Sequence, residues 1–439
     1  MSATRALDRD IARLAVPALG ALIAEPLFLL TDTALVGHLG AAPLAGLGVA
    51  SVILQTAVGL LIFLAYATTP TVARRLGAGD RPGALRAGID GLWFALGVGV
   101  VLAGVGLATA RPLVDAFDTS RRVADAATTY LTISVLGLPA MLVVIAATGL
   151  LRGLQDTRTP LVVATVGFAA NALLNAVFLY GFGWGIAGSA WGTVTAQAGM
   201  AAVYAVIAVR AARAAGVPLR PGLDGVGRTA SSGAWLLLRN ACLRAAMLAT
   251  VSAAATLGVR GLAAVQIALT LFSALAFALD ALAIAGQALV GHALGAGDRE
   301  RVRRVTRRLL LWGVAGGAVL GLLLAAVSGV LAPVFTTDAE VARLLPGLLL
   351  AMSAGIPVAG FVFVLDGVLL GAGDARYLGL TGLVNVAVYL PLLAWSLGAR
   401  GDGAPVALWF AFGLGYIGAR AVTLGLRAAG SRWVVTGAR

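Results

Sequence analysis

The sequence predicts an all-α polytopic membrane protein, with twelve transmembrane helices arranged in two pseudo-symmetric six-helix bundles. Composition, a series of long apolar segments and an internal repeat carry this prediction. Of the 439 residues, 60% are hydrophobic and only 12% are charged, and the mean hydropathy is +0.96. A soluble domain of ordinary composition has about 25% charged residues. The chain therefore has too few charged side chains to cover a water-exposed surface.

Twelve apolar segments follow one another along the chain, and each is long enough to cross a hydrocarbon core of about 30 Å as a helix. None of them alternates between polar and apolar residues with a period of two, so the pattern predicts helices and not a closed barrel of strands. The segments are residues 14–36, 44–70, 88–110, 127–150, 160–180, 186–209, 233–257, 262–288, 308–332, 343–369, 377–397 and 404–426.

An internal repeat relates the two halves of the chain at an offset of 218 residues. The run Leu-Gly-Ala-Gly-Asp-Arg occupies 76–81 and recurs at 294–299. The same offset, without a gap, relates further identical residues, among them Pro139 with Pro357, Gly149 with Gly367 and Asp156 with Asp374. Six helices bring the chain back to the side on which it started, so both halves enter the membrane from the same face.

This repeat divides the chain into two predicted lobes joined by a segment rich in glycine and proline. We expect an N-terminal lobe at 1–209, a cytoplasmic linker at 210–232 and a C-terminal lobe at 233–439. The linker is suited to let two rigid bundles rock, with the substrate path between them.

The arginines predict that both termini lie in the cytoplasm. The chain has no lysine, and 23 arginines fall on the side of the N-terminus against 6 on the opposite side. Such a bias follows the rule that basic residues stay on the cytoplasmic face. It also accounts for the net charge of +13, so we expect no nucleic-acid partner. The first apolar run is too long for a cleaved signal sequence and is expected to remain in the mature protein.

The first apolar segment carries two acids, Glu25 and Asp32, and two prolines, Pro17 and Pro26, with no basic residue beyond Arg13. A charged group at the centre of a spanning helix costs roughly 2.5–3.5 kcal/mol even on lenient insertion scales. The two acids are seven residues apart and therefore lie on nearly the same helix face. The prolines remove backbone hydrogen bonds, so we expect the helix to bend at them.

A rise of about 1.5 Å per residue places several uncharged polar groups at the depth of these acids. Counted from the inner face, Asp32 lies at about 27 Å and Asn171, Asn175 and Thr193 at about 16–22 Å, so all four share the middle and outer half of one bundle. We expect these four residues to form an ion-coupling site. The repeat relates Asp32 to Thr250, so the acid is not part of a general scaffold. We assign Glu25, Gln55 and Gln197 to the substrate cavity.

Two chemistries suit this site. Loss of hydration disfavours the ionised form of a carboxylate, so Asp32 could exchange a proton as the site faces one side of the membrane or the other. Alternatively, Asp32, Asn171, Asn175 and Thr193 offer hard oxygen ligands for a sodium ion. We expect a proton as the coupling ion in preference to sodium.

The second half of the chain carries charges of both signs at depth, and buried charges are usually paired. We therefore expect an ion-pair cluster near the inner side, structural or gating in role, formed by Arg239, Arg244, Asp280, Asp366 and Arg420.

Other chemistries find little support in the sequence. The single cysteine, Cys242, excludes an internal disulfide, and with only His38 and His292 a histidine-based metal site is not expected. No nucleophile–base pair or nucleotide motif stands out, so we expect no enzyme and no cofactor.

Several motifs resemble those of MATE (multidrug and toxic compound extrusion) transporters, in particular the DinF-like branch. The resemblance covers essentially the whole chain and is carried by the run from Pro26 to Gly40, by 76–80, by the run from Gly149 to Pro160, by Leu279-Asp280 and by Asp366-Gly367. It implies two six-helix lobes that form a V. It also implies an antiporter that exports amphipathic, usually cationic compounds in exchange for protons or sodium ions.

The resemblance also implies roles for individual residues. Asp32 matches the main coupling residue, Pro17 matches the proline that bends on protonation, and Asn171, Asn175 and Thr193 match polar positions around the acid. The chain departs from the pattern in two places. Asn175 stands where some relatives have a second aspartate, which puts a two-acid ion site in doubt, and Gln287 stands where many have a glutamate.

We therefore predict a secondary active multidrug efflux antiporter that works by alternating access, monomeric and located in the bacterial cytoplasmic membrane. One rival is a flippase for lipid-linked oligosaccharide precursors, which can share the two-lobe fold. Such a cavity should present arginines to a pyrophosphate, and only Arg239 and Arg244 lie at a suitable depth. A second rival, a membrane scaffold without transport activity, has no need for intramembrane acids.

Overall fold

The computed structural model describes residues 3–437, apart from the side chains at positions 3, 25, 223, 224, 226 and 228. Within these residues the chain forms no strand and has 12 helices that are long and apolar enough to cross a membrane. These are α1 (Ala3–Gly37), α2 (Ala41–Gly77), α3 (Arg81–Asp115), α4 (Arg121–Gly153), α5 (Arg158–Gly181), α6 (Ile186–Ala214), α7 (Leu223–Ala255), α8 (Gly258–Gly295), α9 (Arg299–Val327), α10 (Ala339–Gly371), α11 (Ala375–Ser396) and α12 (Gly401–Ala429). Each of the twelve predicted segments falls on one of them, which confirms the predicted fold class.

Four of the helices contain a local break. α2 is interrupted at Ile62, and α4 passes through a 3₁₀ turn at Val135–Gly137. Pro139 follows this turn and has no backbone N–H to donate. α5 ends in a π turn at Val177–Gly181, and α12 contains a longer one at Ala411–Ile417. Such π turns are rare and often lie at functional sites.

The repeat is visible in the backbone. Among the described residues, left-handed φ angles recur at positions 218 apart: Gly40 with Gly258, Gly79 with Gly297, Gln155 with Gly373 and Gly183 with Gly401. Helix caps repeat as well. Asp80 and Asp298 each accept a hydrogen bond of 2.8 Å from the backbone N–H three residues ahead, which satisfies a free donor at the start of α3 and of α9.

Close helix packing repeats at the same offset. A Cβ atom added at Gly149 of α4 would lie 2.8 Å from the backbone of Ala65 of α2. The related residue Gly367 of α10 lies even closer to the backbone of Ala283 of α8, the residue related to Ala65. In membranes, small residues let helix backbones approach closely where no hydrophobic force draws helices together. The duplication therefore preserved this helix crossing in both halves.

The chain packs into two compact units. The first unit comprises Val16–Gly233, and the second comprises Ala234–Gly437 together with the N-terminal segment that ends at Ala15. The start of α1 thus packs with the second unit and not, as the sequence suggested, with the N-terminal lobe. The segment 210–232, predicted as a cytoplasmic linker, packs with the first unit.

Polar contacts fix both of these segments. Within the second unit, Asp8 of α1 accepts hydrogen bonds of 2.6 Å from Nε and from Nη2 of Arg308, and one of 3.0 Å from Nε1 of Trp312. Within the first unit, Asp90 of α3 accepts a bond of 2.8 Å from the backbone N–H of Gly222. Asp90 and Arg308 are related by the repeat offset, so equivalent positions of α3 and α9 each hold a chain segment.

Candidate ion-coupling site

Asp32 lies on α1 inside the first unit, with 4% of its surface exposed. Its Oδ1 atom accepts hydrogen bonds from Nδ2 of Asn175 at 2.9 Å and from Oγ of Ser189 at 2.5 Å. Its Oδ2 atom accepts one from the hydroxyl of Tyr130 at 3.1 Å. Side chains of α4, α5 and α6 therefore converge on this one carboxylate.

A chain of uncharged groups continues from the carboxylate. Nδ2 of Asn175 also contacts Oδ1 of Asn171 at 3.2 Å, and Nδ2 of Asn171 donates to Oγ1 of Thr193 at 3.0 Å. All of these residues are buried. The sequence predicted that Asp32, Asn171, Asn175 and Thr193 share the middle and outer half of one bundle, and the structure joins the four in a single hydrogen-bond network.

Helix periodicity explains this convergence. Asn171 and Asn175 are four residues apart on α5, and Ser189 and Thr193 are four apart on α6, so each pair occupies one helix face. α6 follows a turn with left-handed φ angles at Gly183 and Gly185, which glycine adopts without steric cost. Ser189 consequently lies in the first turn of α6, level with the carboxylate.

Two members of the network, Tyr130 and Ser189, were not anticipated from the sequence. Ser189 could have been found, because it lies one helical turn before Thr193 on the same face. Tyr130 gives a weaker signal. The repeat relates it to Leu348, so its hydroxyl, like the carboxylate of Asp32, has no counterpart in the second half.

Among the residues that the structure describes, the acid has neutral donors and no cationic partner. Across residues 3–437, excluding the six side chains named above, no arginine forms an ion pair with Asp32. Three donors can support an ionised carboxylate, which has about four acceptor sites, and such bonds are strengthened in a medium of low dielectric constant. Oδ1 of Asn175, beside the carboxylate, is buried without a hydrogen-bond partner. The arrangement can thus hold a charge, and it keeps one acceptor free.

The other residues assigned to the site are placed differently. The side chain of Glu25 lies outside the described residues. Gln55 is exposed, and the side-chain oxygen of Gln197 lies against Gly137 in the 3₁₀ turn of α4. Neither glutamine contributes a described hydrogen bond to the network around Asp32.

Both prolines lie inside the unbroken helix α1. Pro17 comes directly after the point, between Ala15 and Val16, where the helix passes from one compact unit to the other. Because proline lacks a backbone N–H, the helix has one bond fewer at this point. Two residues beyond Pro26, the ring of Phe28 stacks on that of Phe168 with a centroid distance of 5.2 Å.

The predicted charge cluster of the second unit forms in part. Asp366 of α10 accepts two hydrogen bonds from Arg239 of α7, one of them at 3.1 Å, and lies 3.3 Å from Nη2 of Arg420 of α12. These three residues are buried. Arg244 is exposed and has no described ion pair with Asp366, and Asp280 is half-buried on α8.

Gln287 of α8, which stands where the resemblance led us to note a glutamate in relatives, is 1% exposed. Its side-chain amide has no hydrogen-bond partner in the described residues. The amide therefore lacks hydrogen bonds among the described residues, and a buried polar group without them lowers the stability of a protein.

The twelve helices, the two related units and the polar centre in one of them define an integral membrane transporter. The sequence model of the MatE family matches the chain twice, at residues 17–177 and 236–395, and the two matches are offset by one repeat. The chain belongs to the MatE family, whose members are transporters and not enzymes.

Curated relatives agree with this assignment. Protein DETOXIFICATION 44, chloroplastic, of Arabidopsis thaliana is 31% identical over 93% of this chain and 81% of its own length. Multidrug resistance protein MdtK of Edwardsiella ictaluri is 28% identical over 97% and 95%. DNA damage-inducible protein F of Escherichia coli is 29% identical over 68% and 66%, which confirms the resemblance to the DinF-like branch. Among solved structures, the Vibrio cholerae MATE transporter VcmN superposes with a TM-score of 0.89 at 18% identity, covering 99% of this chain and 100% of that one.

Proposed function

We propose that this MatE transporter is a secondary active antiporter that exports amphipathic cationic compounds in exchange for protons, with Asp32 as the coupling residue. The observation that carries the proposal is the carboxylate of Asp32, which is buried with three neutral donors and no described arginine. A structural acid would be expected to pair with a cation. An acid supported by neutral donors alone can change its charge without breaking an ion pair.

Protonation would change the hydrogen bonds of the site. The ionised carboxylate only accepts, whereas the protonated acid also has one O–H to donate. Oδ1 of Asn175 is a neighbouring acceptor without a partner, so rearranged donors could accommodate the new proton. The helix that carries Asp32 also contains Pro17 and Pro26, where missing backbone bonds make bending easier. A proton could in this way be coupled to a change between inward-open and outward-open states by alternating access.

A proton suits the site better than a sodium ion does. Three of about four acceptor positions on the carboxylate already receive donors from Tyr130, Asn175 and Ser189. Sodium would require these donors to turn away, because a cation binds to the same lone pairs. The oxygens of Asn171, Asn175 and Thr193 keep sodium as the alternative coupling ion.

The charge of the site favours cationic substrates. An acid that is ionised in one state and neutral in the other attracts a cation only in the first, and this provides exchange. Two relatives have names that refer to multidrug resistance, and this supports chemically diverse drugs as the substrates. The flippase alternative is less favoured, because Arg239 is engaged by Asp366, which leaves Arg244 as the one free arginine of the two described candidates for a pyrophosphate.

We place the protein in the cytoplasmic membrane of a bacterium, as a monomer with both termini in the cytoplasm. The bias of 23 arginines to 6 supports this orientation. Protease access to tags at each terminus in inside-out and right-side-out vesicles would test it, and cleavage from the outside would overturn it.

The coupling proposal is tested by substrate efflux from proteoliposomes with a proton gradient and a sodium gradient imposed separately. A fluorescent cationic dye serves as the substrate. Efflux driven by the proton gradient alone is the expected result. Efflux driven by sodium alone would replace the proton with sodium, and efflux that responds to neither gradient would overturn the antiporter.

A further inference from the structure

An open cleft of about 830 Å³ lies in the second unit, between the opening turns of α1 and of α9. The clamp between Asp8 and Arg308, described above, holds these two helices together beside it. The cleft is lined on one side by residues of α1, including Leu7, and on the other by a run of α9 that reaches Leu311. The cleft is separate from the candidate ion-coupling site around Asp32 and from the charge cluster of Asp366.

Positive charge dominates one end of the cleft. Five arginines of α9 line it, against three acids, and one of these acids, Asp298, caps the helix through the backbone N–H of Arg301. The side chains of Arg303, Arg304 and Arg307 are exposed. None of these three forms an ion pair with a described residue. Guanidinium groups bind phosphate oxygens in a bidentate manner, so this end suits a phosphate group.

Beyond the arginines, the lining that α9 contributes to the cleft ends at an apolar residue, Leu311. Leu311 is 55% exposed, and the exposed face of α9 continues through Val314 and Val319 to Leu322. Leu311 lies seven residues beyond Arg304, about 10 Å along the helix axis. One face of α9 thus changes from arginine to aliphatic side chains over the distance that separates a headgroup region from the hydrocarbon of a bilayer.

We propose that this cleft binds an anionic phospholipid, with its phosphodiester at Arg304 and Arg307 and its acyl chains along the face of α9 that begins at Leu311. A free phosphate ion shares the headgroup chemistry but gains nothing from the aliphatic wall. A lipid satisfies both ends of the cleft. α9 begins on the arginine-rich side of the protein, so the lipid belongs to the inner leaflet, where anionic headgroups attract basic side chains.

Lipid selectivity of the full-length protein tests the proposal. The purified protein is incubated with equal amounts of phosphatidylglycerol and phosphatidylcholine, and retained lipid is counted by native mass spectrometry. The wild type should retain one phosphatidylglycerol in preference. Arg304→Gln combined with Arg307→Gln should lower this affinity about thirtyfold, since each basic side chain near a membrane surface contributes about 1 kcal/mol.

The matched control is Arg210→Gln combined with Arg213→Gln, which removes two exposed arginines of α6 from the same side but outside the cleft. It should leave the retained lipid unchanged. Equal retention of both lipids by the wild type, or equal loss in both double variants, would overturn the proposal. Inorganic phosphate in millimolar excess identifies the source of the ligand. Lipid retention should survive it, and complete displacement would assign the cleft to free phosphate.

Discussion

The hydroxyls of Thr250 and Tyr389 lie 2.6 Å apart in the second unit, at the positions that the repeat relates to Asp32 and Asn171. Both residues are fully buried. The two halves therefore share a polar contact at this level between their first and fifth helices, but only the first half places a charge there. The duplicated fold supplies the position, and a single acid distinguishes the first half in chemistry.

Substitution of Asp32 tests this distinction. Asp32→Asn keeps the size of the side chain and an oxygen for Tyr130 and Ser189, but it cannot take up and release a proton. We expect efflux driven by the proton gradient to fall to the level of protein-free liposomes, while size-exclusion chromatography and circular dichroism still report a folded protein. Asp90→Asn is the matched control, because Asp90 is equally buried in the same unit and holds Gly222. Driven efflux by Asp32→Asn that equals the wild type would exclude the acid from coupling.

Tyr130 is expected to tune the coupling acid. Tyr130→Phe removes one donor from the ionised carboxylate, and a hydrogen bond to a charged group contributes about 1.5–3 kcal/mol. The ionised form loses support, so Asp32 should hold its proton more tightly. The proton concentration for half-maximal efflux should fall at least roughly tenfold. It is measured from efflux rates across a pH series. Tyr389→Phe removes a buried hydroxyl that does not contact the acid and should leave this value unchanged; an equal change in both variants would count against a direct effect.

The charge cluster of the second unit predicts a stability effect. Asp366→Ala leaves Arg239 and Arg420 buried without their carboxylate, and the loss of one partner of a buried ion pair costs about 3–5 kcal/mol. Thermal unfolding in detergent should show a large decrease in melting temperature. Asp402→Ala removes a partner of the exposed Arg343 and should cost less than about 1 kcal/mol.

A compensated variant separates charge pairing from other roles of this cluster. Arg239→Met, Asp366→Leu and Arg420→Met together replace the charges with apolar groups of similar size, which is often neutral or stabilising. The triple variant should melt at a higher temperature than Asp366→Ala alone. A triple variant that is less stable than the single one would show that the charges do more than neutralise each other.

Repeat-related glycines should respond alike to the same change. Gly149→Ala places a methyl group 2.8 Å from the backbone of Ala65, and overpacking of this kind typically costs 1–3 kcal/mol. Gly367→Ala, against Ala283, should cause a similar decrease in melting temperature. Gly104→Ala on α3 meets open space and should have no unfavourable effect. Tolerance of alanine at 149 together with intolerance at 367 would mean that the two helix crossings are not equivalent.

The fold was largely predictable because membrane spans are long, apolar and separated by charged gaps. Because the rise per residue is fixed in a helix, the depth argument placed Asp32, Asn171, Asn175 and Thr193 in the middle and outer half of one bundle, where the structure joins them by hydrogen bonds. Depth alone gives no information about which helix faces meet. For that reason, the sequence could not show whether Gln197 faces the substrate cavity. In the structure its side-chain oxygen lies against Gly137.

Contacts between helices distant in the chain were the part that sequence reasoning missed. Tyr130 is 98 residues from Asp32, and a buried tyrosine on an apolar helix looks like ordinary packing until its hydroxyl is placed. The docking of the predicted linker was missed for a similar reason. Its glycines and prolines indicate a loop, but they do not show that Asp90 would accept a hydrogen bond from Gly222.

The exchange of helix starts between the two units has an evolutionary consequence. The unit boundaries after Ala15 and after Gly233 are related by the repeat offset, so each half lends its opening segment to the other in a reciprocal way. Domain swapping exchanges an identical element between two protomers, so two six-helix copies that exchanged their opening segments as a homodimer would give this arrangement. Gene fusion would then have joined two protomers that were already interlocked, and only afterwards could one of them become the sole carrier of the acid.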